Sequence, residues 1–319
     1  MGVLHLIFMS QSYLEIAQQG KNSWWRHLLA TLLILFFWLI IGTSVTSIAV
    51  VFFLVQRGLN LTDLSVEQVN AFLKSSSVES FITLNIPSIF FAIGIFLAVK
   101  LLHKRKFNSL ISASGTINYQ RILAGFGVWF LMLIVLLAVS LIFDAKSYEF
   151  TFNPLQWLPL LISALILTPI QTSSEELFFR GYLLQALSHI TRNRLALIFV
   201  TSILFMLPHL FNPEMQRGAW MALFYFGFGA LTALITLKDN RLELALGVHA
   251  ANNLSFLFVT TKDSVLSVPA MWTAKDTGDP RVDVAVFLLQ SAIFYYVFFG
   301  RRKKVSQAIL DKTEKIKLG

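Results

Sequence analysis

The chain has 319 residues, of which 56% are hydrophobic and 13% charged, and its net charge is +9. A soluble domain is usually about 25% charged, so this composition excludes an ordinary soluble protein and indicates a polytopic membrane protein. Cysteine is absent, which excludes disulfides, iron–sulfur clusters and thiolate catalysis. The basic residues lie in short segments beside apolar runs, a distribution typical of membrane proteins, so no nucleic-acid partner is expected.

The first part of the chain predicts an interfacial segment followed by three membrane helices. Residues 1–26 are interpreted as the interfacial segment, with Trp24 and Trp25 anchored at the level of the lipid headgroups. Residues 27–154 then contain three long apolar runs, each close to the ~20 residues that cross a bilayer as a helix. These runs cover about 28–55, 80–102 and 120–143.

The second part predicts five further spans, which gives eight transmembrane helices in one all-α bundle. Residues 155–260 form a core region with apolar runs at about 155–174, 195–211, 217–237 and 242–260. Residues 261–319 contain the last span, at about 283–299, and a basic tail beginning "GRRKK". Consecutive basic residues after a span are typical of an anchor on anionic lipid, which is therefore an expected partner of the tail.

The distribution of Lys and Arg predicts the orientation of the protein. Most of these residues fall in the segments 1–27, 103–121, 190–194, 238–241 and 301–319, which would all lie on one side of the membrane. The positive-inside rule places that side in the cytoplasm, together with both termini. The short loops and the lack of an organelle-targeting signal favour a bacterial cytoplasmic membrane.

Ionisable and amide side chains interrupt three of the apolar runs in the core region. A charged side chain at the centre of a bilayer costs about 2.5–3.5 kcal/mol on insertion scales, so such residues are functional candidates by default. The candidates are Glu175, Glu176 and Arg180 in "SSEELFFRGYL", His209 in "FMLPH", and His249 and Asn253 in "HAANN".

Helical spacing suggests how these residues meet. Two helices of similar length joined by the turn "TRNR" at 191–194 would bring Glu175 and His209 to one level. Glu176 and Arg180 are four residues apart and can form an ion pair, which leaves Glu175 as the reactive carboxylate. Glu175 could act as a general base on water, with His209 sharing the proton. His249 and Asn253, also four residues apart, could stabilise an oxyanion. A general base and oxyanion donors at one site indicate a peptide hydrolase.

These motifs resemble a known family. "EELFFR", "FMLPH" and "HAANN" are similar to the EExxxR, FxxxH and HxxxN signatures of the CPBP (CAAX protease and bacteriocin-processing, or Abi) family of intramembrane endopeptidases. The resemblance implies that Glu175 and His209 activate water and that His249 and Asn253 form the oxyanion hole. The mechanism that the resemblance implies requires no cofactor. Glu175, His209 and His249 are also a suitable set of zinc ligands, so a zinc-dependent protease is an alternative.

Three questions stay open at this point. The same family resemblance allows a non-proteolytic membrane scaffold or immunity protein, and buried ionisable residues also serve proton-coupled transporters. The substrate is expected to be a membrane-anchored protein or peptide, without further identity. The resemblance implies access to the site from the cytoplasm, whereas the hairpin places the site deep in the membrane or toward its outer half.

Overall fold

A computed structural model describes residues 12–261 and 268–300 of the chain. It is an all-α membrane protein, as predicted. Numbered in chain order, its helices α1 to α9 are Trp24–Gln56, Val66–Leu73, Val78–Leu102, Tyr119–Phe143, Pro154–Leu187, Arg194–His209, Ala219–Asp239, Glu243–Leu254 and Pro280–Gly300. Short 3₁₀ turns cover Ile16–Gln18, Leu61–Asp63, Phe107–Leu110, Ala145–Ser147, Pro213–Arg217 and Ser255–Leu257.

Six of these helices, within the described residues, are long and apolar enough to cross a membrane, so the predicted count of eight spans is not confirmed. The other two predicted spans are the shorter helices α6, of 16 residues, and α8, of 12 residues. Helix α8 is apolar because protein surrounds it: every residue from Glu243 to Ala251 is buried. Apolar composition alone does not distinguish a helix in lipid from a helix inside a protein.

A small sheet lies at one end of the bundle and was not predicted. Its strands are β1 (Tyr148–Phe150), β2 (Val259–Thr261) and β3 (Trp272–Ala274). The order is β1-β3-β2, with β3 antiparallel to β1 and parallel to β2. Strands β1 and β2 are therefore the two edges of the sheet. We call this the sheet end of the protein.

The opposite end, which we call the basic end, consists of the loops at 103–118, 188–193 and 240–242. The Ala113 and Leu242 amides donate to the carbonyl oxygens of Asn240 and Ile111, at 3.4 and 2.7 Å, which ties two of these loops together. Arg105 donates to Gln185 at the end of α5, and burial lowers the pKa of this arginine to about 10. The connecting loops that the distribution of Lys and Arg assigns to one side of the membrane therefore lie together at the basic end.

The predicted N-terminal segment lies partly outside the described residues, and the basic tail at 301–319 lies entirely outside them. Within the described part, Tyr13 is fully buried, and its hydroxyl lies 3.2 Å from the carbonyl oxygen of Arg180. Trp24, at the start of α1, is 76% exposed, as expected for a side chain at a lipid interface.

Two glycines allow α8 to pass directly against α4. A Cβ built on Gly247 would lie 2.2 Å from the carbonyl oxygen of Ile122, and one on Gly125 would lie 2.7 Å from that of Leu244. Small residues at such crossings let membrane helices approach backbone to backbone. The close crossing places His249, two residues after Gly247, in the interior of the bundle.

We expect Gly247→Ala to destabilise the protein by about 1–3 kcal/mol, because the added methyl group forces two backbones apart. Thermal unfolding of the detergent-solubilised protein measures the effect. Gly127→Ala, on α4, is the matched control, because a Cβ at Gly127 has no neighbour within 4 Å. Equal unfolding temperatures for both variants would contradict the proposed close crossing.

Candidate active site

A cavity of about 610 Å³ lies between α5, α6, α7 and α8, and its wall includes β2. All four side chains predicted to be catalytic line this one cavity: Glu175, His209, His249 and Asn253. Glu176 and Arg180 are fully buried behind the wall. The structure therefore brings the three motifs of the sequence together at a single site.

Glu175 presents one free carboxylate oxygen. Its Oε1 atom accepts a hydrogen bond from the side-chain amide of Gln171, one helical turn earlier on α5. Its Oε2 atom has no hydrogen-bond partner among the described residues and lies 3.8 Å from Nε2 of His249. A buried polar atom without a partner is rare in a folded protein and needs an explanation, such as a reacting water. The geometry fixes one oxygen of Glu175 and leaves the other available to take a proton.

His209 is held by its backbone and by two aromatic rings. Its Nδ1 atom donates to the carbonyl oxygen of Phe205, at 2.7 Å, so that in the neutral ring Nε2 is the proton acceptor. The imidazole lies between Phe205 and Tyr225, with ring centroids 4.6 and 4.4 Å away. Pro208 lies in the last turn of α6, which ends one residue later at His209.

Glu176 connects two helices through one oxygen. Its Oε1 atom accepts from Arg180, at 2.9 Å, which confirms the predicted ion pair, although the backbone from Leu177 to Leu183 is π-helical. The same oxygen lies 2.8 Å from Nδ1 of His249 on α8, a contact that was not predicted. The Arg180 guanidinium also lies 4.1 Å from the centre of the Phe205 ring, a cation–π geometry. The second glutamate of the motif therefore orients His249.

Asn253 is positioned by other amides. Its Nδ2 atom donates to Gln171 at 3.0 Å, and its Oδ1 atom accepts from Asn252 at 3.3 Å. The Asn252 oxygen in turn lies 3.4 Å from Nε1 of Trp129 on α4. Gln171 therefore bridges Glu175 and Asn253, and the role of Asn253 as an oxyanion donor stays a prediction.

Several residues of the site were not predicted. Gln171 could have been found, because it precedes Glu175 by four residues and lies on the same helix face. Tyr225, on α7, contacts His209, lines the cavity and accepts a hydrogen bond from Asn212 at 3.1 Å. Asn85 and Ser88, on α3, also line the cavity, although α3 lies outside the predicted core region. They were not predicted because a lone polar residue in an apolar run does not by itself indicate a functional site.

Comparisons with known proteins agree with this geometry. A family model described as "Type II CAAX prenyl endopeptidase Rce1-like" matches residues 154–255, which contain all three motifs. The chain is also 33% identical over 290 residues to "Uncharacterized protein YyaK" of Bacillus subtilis (strain 168). The aligned region covers 90% of this chain and 95% of that protein. The chain belongs to the CPBP family. No solved structure matches it.

As a CPBP protein, the chain is an integral membrane protein of a family that is generally not cofactor-dependent. The zinc alternative needs Glu175, His209 and His249 to converge as ligands. Among the described residues, no three His, Asp or Glu side chains form a group that could hold a metal ion. Because the described residues offer no such group, we derive no step through zinc.

Proposed function

We propose that this CPBP protein is an intramembrane endopeptidase that hydrolyses a peptide bond of a membrane-associated protein or peptide. The observation that carries the proposal is the buried, unpartnered Oε2 atom of Glu175, which lies 3.8 Å from Nε2 of His249. Glu175, His209 and His249 all line the same cavity. A cavity open to water also explains why carboxylates are tolerated at membrane depth.

In the proposed reaction, Glu175 removes a proton from a water molecule while the water oxygen attacks the peptide carbonyl carbon. His209 orients this water through Nε2, which its Nδ1 contact with Phe205 leaves as the acceptor. The carbonyl oxygen becomes an oxyanion. The carbon–nitrogen bond then breaks, and the leaving amine takes the proton from Glu175, so the carboxylate is regenerated.

The oxyanion is stabilised by His249 and Asn253. In the imidazolium form of His249, Nδ1 donates to Glu176 and Nε2 donates toward the oxyanion. Asn253 supplies a second amide donor from the same face of α8, one turn later. Preorganised donors of this type are worth about 10²- to 10³-fold each in rate.

The proposal is tested by incubating the protein, reconstituted in liposomes, with membrane-anchored peptides and detecting new termini by mass spectrometry. Cleavage by the wild type and its loss in Glu175→Gln are the expected results. A zinc-dependent reaction would be lost on chelation and restored by zinc, whereas the proposed one is unaffected. If a cellular phenotype of the protein survives Glu175→Gln combined with His209→Ala, the non-proteolytic scaffold is the correct alternative.

We also propose that the basic end and both termini face the cytoplasm of a bacterial cell, with the tail on anionic lipid. The cavity then opens on the outer side, because its rim includes Thr261 and Asn212 near the sheet end and no loop of the basic end. The cysteine-free chain permits a direct test with Thr116→Cys and Asp276→Cys, both at exposed positions. A membrane-impermeant maleimide is expected to label only the second variant in intact cells. The reverse pattern would place the cavity on the cytoplasmic side.

Gln171→Leu is expected to lower kcat by about 10- to 100-fold with little change in KM. The substitution leaves Glu175 free to rotate and Asn253 without its acceptor, and misplacement by about 1 Å costs on the order of 10²-fold. Steady-state kinetics on the cleaved peptide measure the effect. Gln156→Leu, at an exposed position of the same helix, is the control and is expected to behave as wild type.

A further inference from the structure

The wall of the cavity includes an edge of the β-sheet. All three residues of β2, Val259, Thr260 and Thr261, line the cavity, whereas no residue of the other edge strand, β1, does so. Along the chain, β2 begins six residues after Asn253, so the strand edge is continuous with the proposed oxyanion site. An open strand edge beside an active site is a ready template for an extended peptide.

The hydrogen bonds show which backbone groups face away from the sheet. The Phe258 carbonyl oxygen accepts from the Trp272 amide at 2.8 Å and so points toward β3. In a trans peptide the C=O and the following N–H point in opposite directions, so the Val259 amide points away from β3. Strand alternation gives Thr261 the same direction. Among the described residues, the Val259 amide has no hydrogen-bond partner.

We propose, resting on the proposed proteolytic function, that the substrate binds as an added strand along the edge of β2 that faces away from β3. The segment around its scissile bond is then extended, with alternate backbone groups paired to Val259 and Thr261. This pairing presents one carbonyl group to Glu175 and His209. The substrate class is a membrane-anchored polypeptide whose juxtamembrane segment enters from the sheet end and is unwound there, rather than an intact transmembrane helix.

A backbone scan of the substrate tests this docking mode. The probe is a synthetic single-span peptide with a Ser- and Thr-rich juxtamembrane segment, in vesicles of phosphatidylethanolamine and phosphatidylglycerol. Methylation of one backbone nitrogen at a time is expected to lower kcat/KM by about 5-fold at every second position, because each lost hydrogen bond is worth about 1 kcal/mol. Losses without this two-residue period, in a peptide that the wild type cleaves, overturn the docking inference and leave the proteolytic function standing.

A variant of the protein tests the same edge from the other side. Val259→Pro removes the outward amide at an edge position, where proline is tolerated. It is expected to lower kcat/KM by about 5-fold relative to Val259→Ala, which changes the same side chain but keeps the amide. Equal activity of both variants contradicts the inference, and the peptide scan decides the matter if the proline variant does not fold.

A trapping measurement needs no cleavage and so separates the two proposals. In Glu175→Gln carrying Thr261→Cys, oxidation with probe peptides that bear one cysteine at successive positions is expected to trap alternate positions, since side chains of paired strands alternate between faces. Trapping at alternate positions supports strand addition even if no cleavage is found. Uniform trapping, or none, overturns it.

Discussion

Glu175→Gln is expected to abolish measurable peptide cleavage, with a fall in kcat of about 10²- to 10⁴-fold, the range that a positioned general base contributes. Glutamine has almost the same shape as glutamate and can still contact Gln171, but it has no carboxylate to take a proton from water. The single-turnover rate on a membrane-anchored peptide measures the chemical step directly. Binding of the peptide is expected to change little, because the substitution removes a reacting group and not a wall of the cavity.

Glu67→Gln provides the control for this experiment. Glu67 lies on the exposed helix α2, outside the cavity, so its carboxylate has no part in the proposed reaction. The control variant should cleave at the wild-type rate, and both variants should unfold at the wild-type temperature. A Glu175→Gln protein that folds normally and still cleaves at more than about a tenth of the wild-type rate would refute the assignment of the base.

Arg180→Met is expected to destabilise the protein by about 3–5 kcal/mol, the cost of leaving one partner of a buried ion pair without the other. Arg180 and Glu176 have no exposed surface, so no water can replace the lost guanidinium. The variant also loses the contact with the Phe205 ring, against which His209 packs. Unfolding of the detergent-solubilised protein gives the stability, and cleavage activity should fall with it.

Two comparisons separate this effect from a general cost of losing an arginine. Arg57→Met breaks an ion pair with Glu79 whose side chains are 43% and 46% exposed, so its cost should stay below about 1 kcal/mol. The double variant Arg180→Met with Glu176→Gln removes the unpaired charge and should be more stable than Arg180→Met alone. Equal stability of the single and double variants would mean that the charge of Glu176 is compensated elsewhere.

The motifs predicted from sequence were those governed by short-range helical spacing. The Glu176–Arg180 pair follows from a separation of four residues, and the equal arms of the hairpin predicted that Glu175 and His209 would meet. The contact of His249 with Glu176 depends on how closely α8 approaches α5. That distance is set by packing such as the Gly125–Gly247 crossing, which no periodicity in one helix reveals.

The sheet was missed, and the length of α8 misjudged, for a different reason. Each strand has only three residues, too few for an alternating pattern to stand out from a turn. The run at 242–260 is apolar throughout, although it folds as a buried helix, a 3₁₀ turn and strand β2. Burial in protein and burial in lipid select the same residues, so the length of an apolar run does not by itself give the number of spans.

The link from Glu176 to both Arg180 and His249 has a consequence for biosynthesis. Helix α5 emerges from the ribosome well before α8, and until α8 arrives the nascent chain has neither His249 nor Asn253 beside Glu175. A partly translated protein therefore lacks the complete site. Under the proposed function, cleavage can begin only after α8 has joined the bundle.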